Sequence, residues 1–82
     1  MNYHKEDLER KLLEIYPELK RVGVSVELEF DHKRDSWILS FTRGHFKKHA
    51  FLHQKDAEAC MEGRMCMYLW GIVDQYVQEI EK

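Results

Sequence analysis

His45, His49 and His53 recur every fourth residue in RGHFKKHAFLHQK, residues 43–55, among Arg43, Lys47, Lys48 and Lys55 and without a carboxylate. Imidazoles ligate metals and cations grip phosphates, so the stretch has three readings: a metal site, a nucleic-acid contact, or the edge of a sheet. The backbone decides between them. On a helix, one turn separates successive imidazoles by about 6 Å, and they can share an ion. On a strand, four residues span about 13 Å. Zinc holds each nitrogen at about 2.0–2.1 Å, so strand geometry keeps any two of these histidines from one ion within a chain. His4 and His32 have no neighbours at ligand spacing.

Alternation favours the strand. In SWILSFT, residues 36–42, Trp37, Leu39 and Phe41 share one face and Ile38, Ser40 and Thr42 the other. A two-residue loop at Arg43-Gly44 sets Thr42 opposite His45, Ser40 opposite Lys47 and Ile38 opposite His49. It also sets Phe41 opposite Phe46, Leu39 opposite Lys48 and Trp37 opposite Ala50. Polar residues then meet polar ones and apolar meet apolar, except at Lys48 and Ile38. Lys47 lies near Glu27 across Ser40. No metal or cofactor is expected, and the lysines read as a guard against edge-to-edge pairing.

The remaining reactive side chains offer less. Cys60 and Cys66, six residues apart on one helix, stand about 9 Å apart and two-thirds of a rotation out of phase, too far for a disulfide or a shared zinc. A helix break at Gly63 weakens that argument. A thiol-based sensor requires one of them to be exposed with a depressed pKa. No nucleophile elbow, phosphate-cradling glycine loop or zinc-hydrolase motif is present. The expectation is a protein without enzymatic activity.

These residues are positioned by a single domain of 82 residues. Residues 5–16 form a helix with Leu8, Leu12, Ile15 and then Leu19 at helical spacing. Pro17 interrupts it, PELKRV adds a turn, and Gly23 stops it. VSVELEF, residues 24–30, alternates as a half-buried strand, and DHKRD is a polar turn. From about residue 54 a helix runs to the end, through Ala57, Met61, Met65, Tyr68, Ile72, Tyr76 and Ile80, as one piece or as two joined at Gly63. The fold class is α+β, a three-stranded antiparallel meander with an N-terminal and a long C-terminal helix packed on one face. Its expected core is Leu8, Leu12, Ile15, Val26, Leu28, Trp37, Leu39, Phe41, Met65, Tyr68, Leu69 and Ile72.

The order helix, three strands, helix resembles the double-stranded RNA-binding domain in topology. That resemblance implies minor-groove and phosphate contact, with lysines at the start of the second helix. There this chain has HQKDAEACMEGR, in which Lys55 is the one lysine. DAEACMEGRMCMYLWG with its amphipathic tail is similar to a family of short uncharacterised bacterial proteins, and that resemblance brings no activity.

Two contact surfaces follow. One is nucleic-acid binding through Lys33, Arg34, Arg43, Lys47, His49 and Lys55. Residues 36–55 hold four basic residues and no acid, whereas the remaining nine basic residues face all fifteen acids. The other surface, favoured because the acids make general attraction to polyanions weak, is apolar. Cys66, Trp70, Val73 and Val77 form a second stripe on the C-terminal helix beyond the one the sheet needs. Met67, Trp70, Val73 and Val77 are the candidate contact for an unknown protein partner or a second copy. The charged N-terminus MNYHKEDLERK has no signal-peptide core, and no apolar run reaches membrane-spanning length. The expected setting is the cytoplasm, without membrane contact.

Overall fold

A computed structural model describes residues 3–64 and 66–81. The elements are α1 (Lys5–Ile15), α2 (Pro17–Arg21), β1 (Ser25–Asp31), β2 (Ser36–Arg43), β3 (Phe46–His53), α3 (Gln54–Met61) and α4 (Met67–Glu81). The strands pair antiparallel in the order β1-β2-β3. This is the expected α+β arrangement, with the closing helical region divided into α3 and the long α4.

The boundaries of the first three helices have chemical causes. At the start of α1 the His4 backbone N–H donates to the Asp7 carboxylate at 3.1 Å, and Glu6 and Asp7 place negative charge where the helix dipole is positive. Pro17 lacks an N–H, so α1 ends and Pro17 becomes the first residue of α2. Gly23, at φ 73°, ends α2. The Val24 N–H donates to Leu19 C=O at 2.9 Å and the Gly23 N–H to Lys20 C=O at 3.2 Å, the paired bonds of a Schellman stop. Gly63, at φ 91°, ends α3 the same way. Arg64 N–H donates to Ala59 C=O at 3.0 Å and Gly63 N–H to Cys60 C=O at 2.9 Å. The break at Gly63 is thus a full helix terminus.

The β2–β3 hairpin turns one residue later than the sequence suggested. Arg43 pairs with Phe46, so the loop is Gly44-His45 rather than Arg43-Gly44. Gly44 alone takes the positive φ, 60°, the signature of a type II′ turn. His45 therefore belongs to the loop. The partners become Thr42 with Lys47, Phe41 with Lys48, Ser40 with His49, Leu39 with Ala50, Ile38 with Phe51 and Trp37 with Leu52. The register moves by two residues, an even number, so every side chain keeps its face. Across Ser40, Glu27 meets His49 and not Lys47.

One sheet face carries the core. Val26, Leu28, Trp37, Leu39, Phe41, Ala50 and Leu52 are buried there beneath Leu8, Leu12, Tyr16, Leu19, Ala57, Cys60, Leu69, Val73, Tyr76 and Val77. Each enclosed leucine contributes roughly 1.5–3 kcal/mol. Three of the expected core residues are placed differently. Ile15 and Ile72 are only half-buried, and Tyr68 is 58% exposed. Met65 lies outside the described residues. The error at Tyr68 has a definite origin, because the apolar spacing was extended from Met61 through the break at Gly63, where helical phase is lost. The phase of α4 is set by Leu69, Val73, Tyr76 and Val77.

Polar tips of core aromatics tie the layers together. The Trp37 indole N–H donates to the Tyr3 hydroxyl at 3.1 Å, and Phe30 packs edge-on against Trp37 at 5.2 Å between ring centres. The Tyr76 hydroxyl donates to Phe46 C=O at 2.6 Å, joining α4 to the start of β3. The Tyr16 hydroxyl donates to Cys66 C=O at 3.3 Å, joining the α1–α2 junction to the start of α4.

Leu39, on the central strand, is fully enclosed. Leu39→Ala should cost roughly 2–5 kcal/mol, lowering the melting temperature by more than about 8 °C; an unmoved melting curve contradicts this core. Gly71 lies within exposed α4 surface, and a Cβ there meets nothing within 4 Å. Gly71→Ala should therefore stabilise the chain by about 0.5–1 kcal/mol, read as a higher melting temperature.

Candidate functional site

The sheet face away from the helices is built from alternate residues of the three strands. Its rungs are Ser25–Thr42–Lys47, Glu27–Ser40–His49, Glu29–Ile38–Phe51 and Asp31–Ser36–His53. Acids line the β1 side and basic or aromatic residues the β3 side. Phe51 is 42% exposed, and the Arg34 guanidinium sits over its ring at 4.7 Å, a cation–π pair. Arg34 also lies 3.6 Å from the Asp31 carboxylate. Strand parity already places Phe51 on this face with Lys47 and His49, and that signal was present in the sequence.

The six candidate nucleic-acid residues do not form one cluster. Lys33 and Arg34 occupy the β1–β2 turn, with Lys55 near that end in the first turn of α3. Arg43 and Lys47 occupy the other end, roughly 23 Å away along β2. His49 lies between. All six are exposed. The first turn of α3 also bears exposed Asp56 and, half a turn on, exposed Glu58, charges that repel phosphate.

The histidines have separate surroundings. His45 is in the hairpin loop, His49 on the open face and His53 at the end of β3. His49 and His53 are four strand residues apart, about 13 Å. Among the described residues no group of three His, Cys, Asp or Glu side chains is arranged to hold a metal ion. His53 serves the fold, since its Nδ1 accepts the Lys55 backbone N–H at 3.1 Å and so caps α3. Lys48 points to the helix-facing side opposite Phe41 yet remains exposed, because β3 is an edge. This is an inward charge at a sheet edge, a known obstacle to further strand pairing.

The thiols are free. Cys60 is enclosed in the core and Cys66 is half-buried. Burial chiefly, then the neighbouring Cys66 and Asp56, pushes the Cys60 thiol from its ordinary 9.0 up to about 11. That is opposite to the depressed pKa a reactive thiol needs. Burial also raises the Tyr16 hydroxyl.

The apolar candidate surface requires the largest correction. Val73 and Val77 are buried, at 0% and 5% exposure, so they cannot touch a partner. They face the core beside Leu69 and Tyr76. Met67 and Trp70 are exposed as expected, at 75% and 42%, and Tyr68 joins them at 58%. The exposed apolar cluster is therefore the first turn of α4, whose buried side is Leu69, followed one turn on by Val73. Two grooves mark the surface. One, of about 510 Å³, runs between α1 and β1, and one of about 300 Å³ lies beside Tyr3, Glu58, Met61 and Glu62.

Raised acid pKa values carry a sign for stability. The folded state favours the neutral Cys60 thiol, so its contribution is complete below pH 9.0 and is lost as pH rises through about 11. The melting temperature should fall across that window, and Cys60→Ala should flatten part of the fall. Alkylation of the folded chain should modify Cys66 well before Cys60. Equal rates contradict the burial of Cys60.

Set against known proteins, the chain matches no family model, no curated protein and no solved structure.

Proposed function

We propose that this chain is a non-enzymatic protein-interaction domain that engages its partner through Met67, Tyr68 and Trp70. One observation carries the reading. Three large apolar side chains within four residues stand at 75%, 58% and 42% exposure, whereas Leu69 between them is fully enclosed. Isolated exposed apolar residues are ordinary, but three on one helical turn, with Met67 between the flanking Tyr68 and Trp70, make a concentration typical of contact surfaces. Tryptophan, tyrosine and methionine are also enriched in them. Leu69 and Val73 fix the helix beneath, so the cluster is presented with little conformational freedom to lose on binding. Both cysteines are free thiols, which agrees with a reducing cytoplasmic setting. Among the described residues no helix is long and apolar enough to cross a membrane.

The second reading is weak nucleic-acid binding on the open sheet face. It is favoured by Phe51, exposed beneath Arg34 and on the face that carries Lys47 and His49, since an exposed ring beside cations suits base stacking. Glu27 and Glu29 on the same face oppose it. Micromolar retardation of RNA or DNA at low salt, lost steeply as salt rises, supports this second reading.

The favoured reading makes two measurable statements. Trp70 should account for the quencher-accessible tryptophan fluorescence, because Trp37 is only 4% exposed, and Trp70→Phe should abolish that fraction. Trp70→Lys with Met67→Glu should leave far-ultraviolet circular dichroism unchanged and the melting temperature close to wild type. The same double variant should remove concentration-dependent association in sedimentation, or remove the protein that co-purifies with the wild type. A monomer at high concentration whose co-purifying proteins are unaffected by the double substitution contradicts the reading.

A further inference from the structure

The two edges of the sheet are not alike. β3 carries Lys47 and the inward Lys48. β1, Ser25–Asp31, contains no lysine or proline and pairs residue for residue with β2 without a bulge. It lacks these common devices by which an edge strand resists another strand.

The hairpin identifies its free backbone groups. A two-residue loop closes on a hydrogen-bonded pair, here Arg43 with Phe46. Alternation then turns the backbone groups of Phe41, Leu39 and Trp37 toward β3, and those of Thr42, Ser40, Ile38 and Ser36 toward β1. On β1 their partners Ser25, Glu27, Glu29 and Asp31 face β2. Val26, Leu28 and Phe30 therefore aim N–H and C=O outward. Among the described residues no backbone bond outside the ladder reaches them. The groove of about 510 Å³ follows this edge, walled by Lys5, Glu9 and Leu13 of α1 and floored by residues 24–28.

The charge along the edge selects the occupant. Glu27 and Glu29 are exposed on the open face, and Glu9 lies across the groove with Lys5 as the one cation of its lining. Side chains two apart on a strand recur every ~7 Å, so a docked strand with cations at alternate positions meets Glu27 and Glu29 together. Its intervening side chains enter the groove toward Leu13. A second copy's β1 is a poor occupant, because it brings Glu27 and Glu29 against their own kind.

We propose that the β1 edge takes up an extended partner segment alternating basic and apolar residues, which adds a fourth strand to the sheet. The surface is separate from the α4 cluster, and the two stand or fall independently.

The test uses the full chain labelled with ¹⁵N and two capped heptapeptides, one alternating lysine with valine and one alternating glutamate with valine. In the free chain the amides of Val26, Leu28 and Phe30 should exchange with solvent faster than those of Glu27 and Glu29. The lysine peptide should protect the first three and shift them, leaving Lys47, His49 and Trp70 unmoved. The glutamate peptide should bind about tenfold more weakly or not at all. Glu27→Lys with Glu29→Lys, both at exposed positions, should reverse the preference while the fold persists. Equal binding of both peptides, or shifts confined to β3 or α4, overturns the proposal. So does protection of the β1 amides that rises with protein concentration without peptide, which assigns the edge to self-association.

Discussion

The molecule depends on a single constraint: its three short strands have one apolar face. Leu39 stands at the centre of that face with no exposed surface, and α1, α3 and α4 pack against the strands to cover it. A chain of 82 residues has enough apolar surface for one such interface. Two packed layers are therefore the whole architecture. The layers are tied by aromatic residues with an apolar body and a polar tip. Tyr3 with Trp37, Tyr16 with the Cys66 carbonyl, and Tyr76 with the Phe46 carbonyl each satisfy a part-buried hydrogen bond that ties one element to another. No buried side-chain nitrogen or oxygen among the described residues is left without a partner, as a small core requires.

Covering the sheet from one side needs helices that change direction, and Pro17 at the junction of α1 and α2 and Gly63 between α3 and α4 supply the changes. Gly63 matters most. By closing α3 with N–H partners for the Ala59 and Cys60 carbonyls it lets α4 begin with a new helical phase. Ala57 and Cys60 are buried on α3, and Leu69, Val73, Tyr76 and Val77 on α4. A continuous helix has one phase throughout and cannot make that adjustment. The same rotation carries Tyr68 outward beside Met67 and Trp70. The exposed cluster is thus a product of where the break falls.

This explains which parts of the structure were legible in the sequence. Strand faces were, because alternation is local and survives an even register error. Moving the hairpin loop from Arg43-Gly44 to Gly44-His45 changed every partner and no face. Gly44 satisfies either loop, as the second residue of one turn type or the first of another, so composition alone does not choose. The phase of α4 was not legible, since apolar residues lie on most of its first turn and spacing counted through Gly63 points to the wrong ones. Val73 and Val77 appeared surplus for that reason and prove to be core. The free β1 edge was hidden for another: it is a property of backbone groups and of what α1 leaves uncovered, and side-chain patterns do not record either.

The basic stretch that first suggested chemistry is mostly explained by the same constraint. Ala50 and Leu52 are core, Gly44 makes the turn, Lys48 guards an edge and His53 caps α3. What remains is Lys47, His49 and Phe51 on the face the helices leave bare, opposite Glu27 and Glu29 on β1. The sheet is consequently polarised across its width, acidic at one edge and basic at the other. Two edges of opposite charge cannot suit the same ligand. With Lys48 obstructing β3 and no inward charge on β1, the acidic edge is the one the fold leaves ready for a strand of opposite charge.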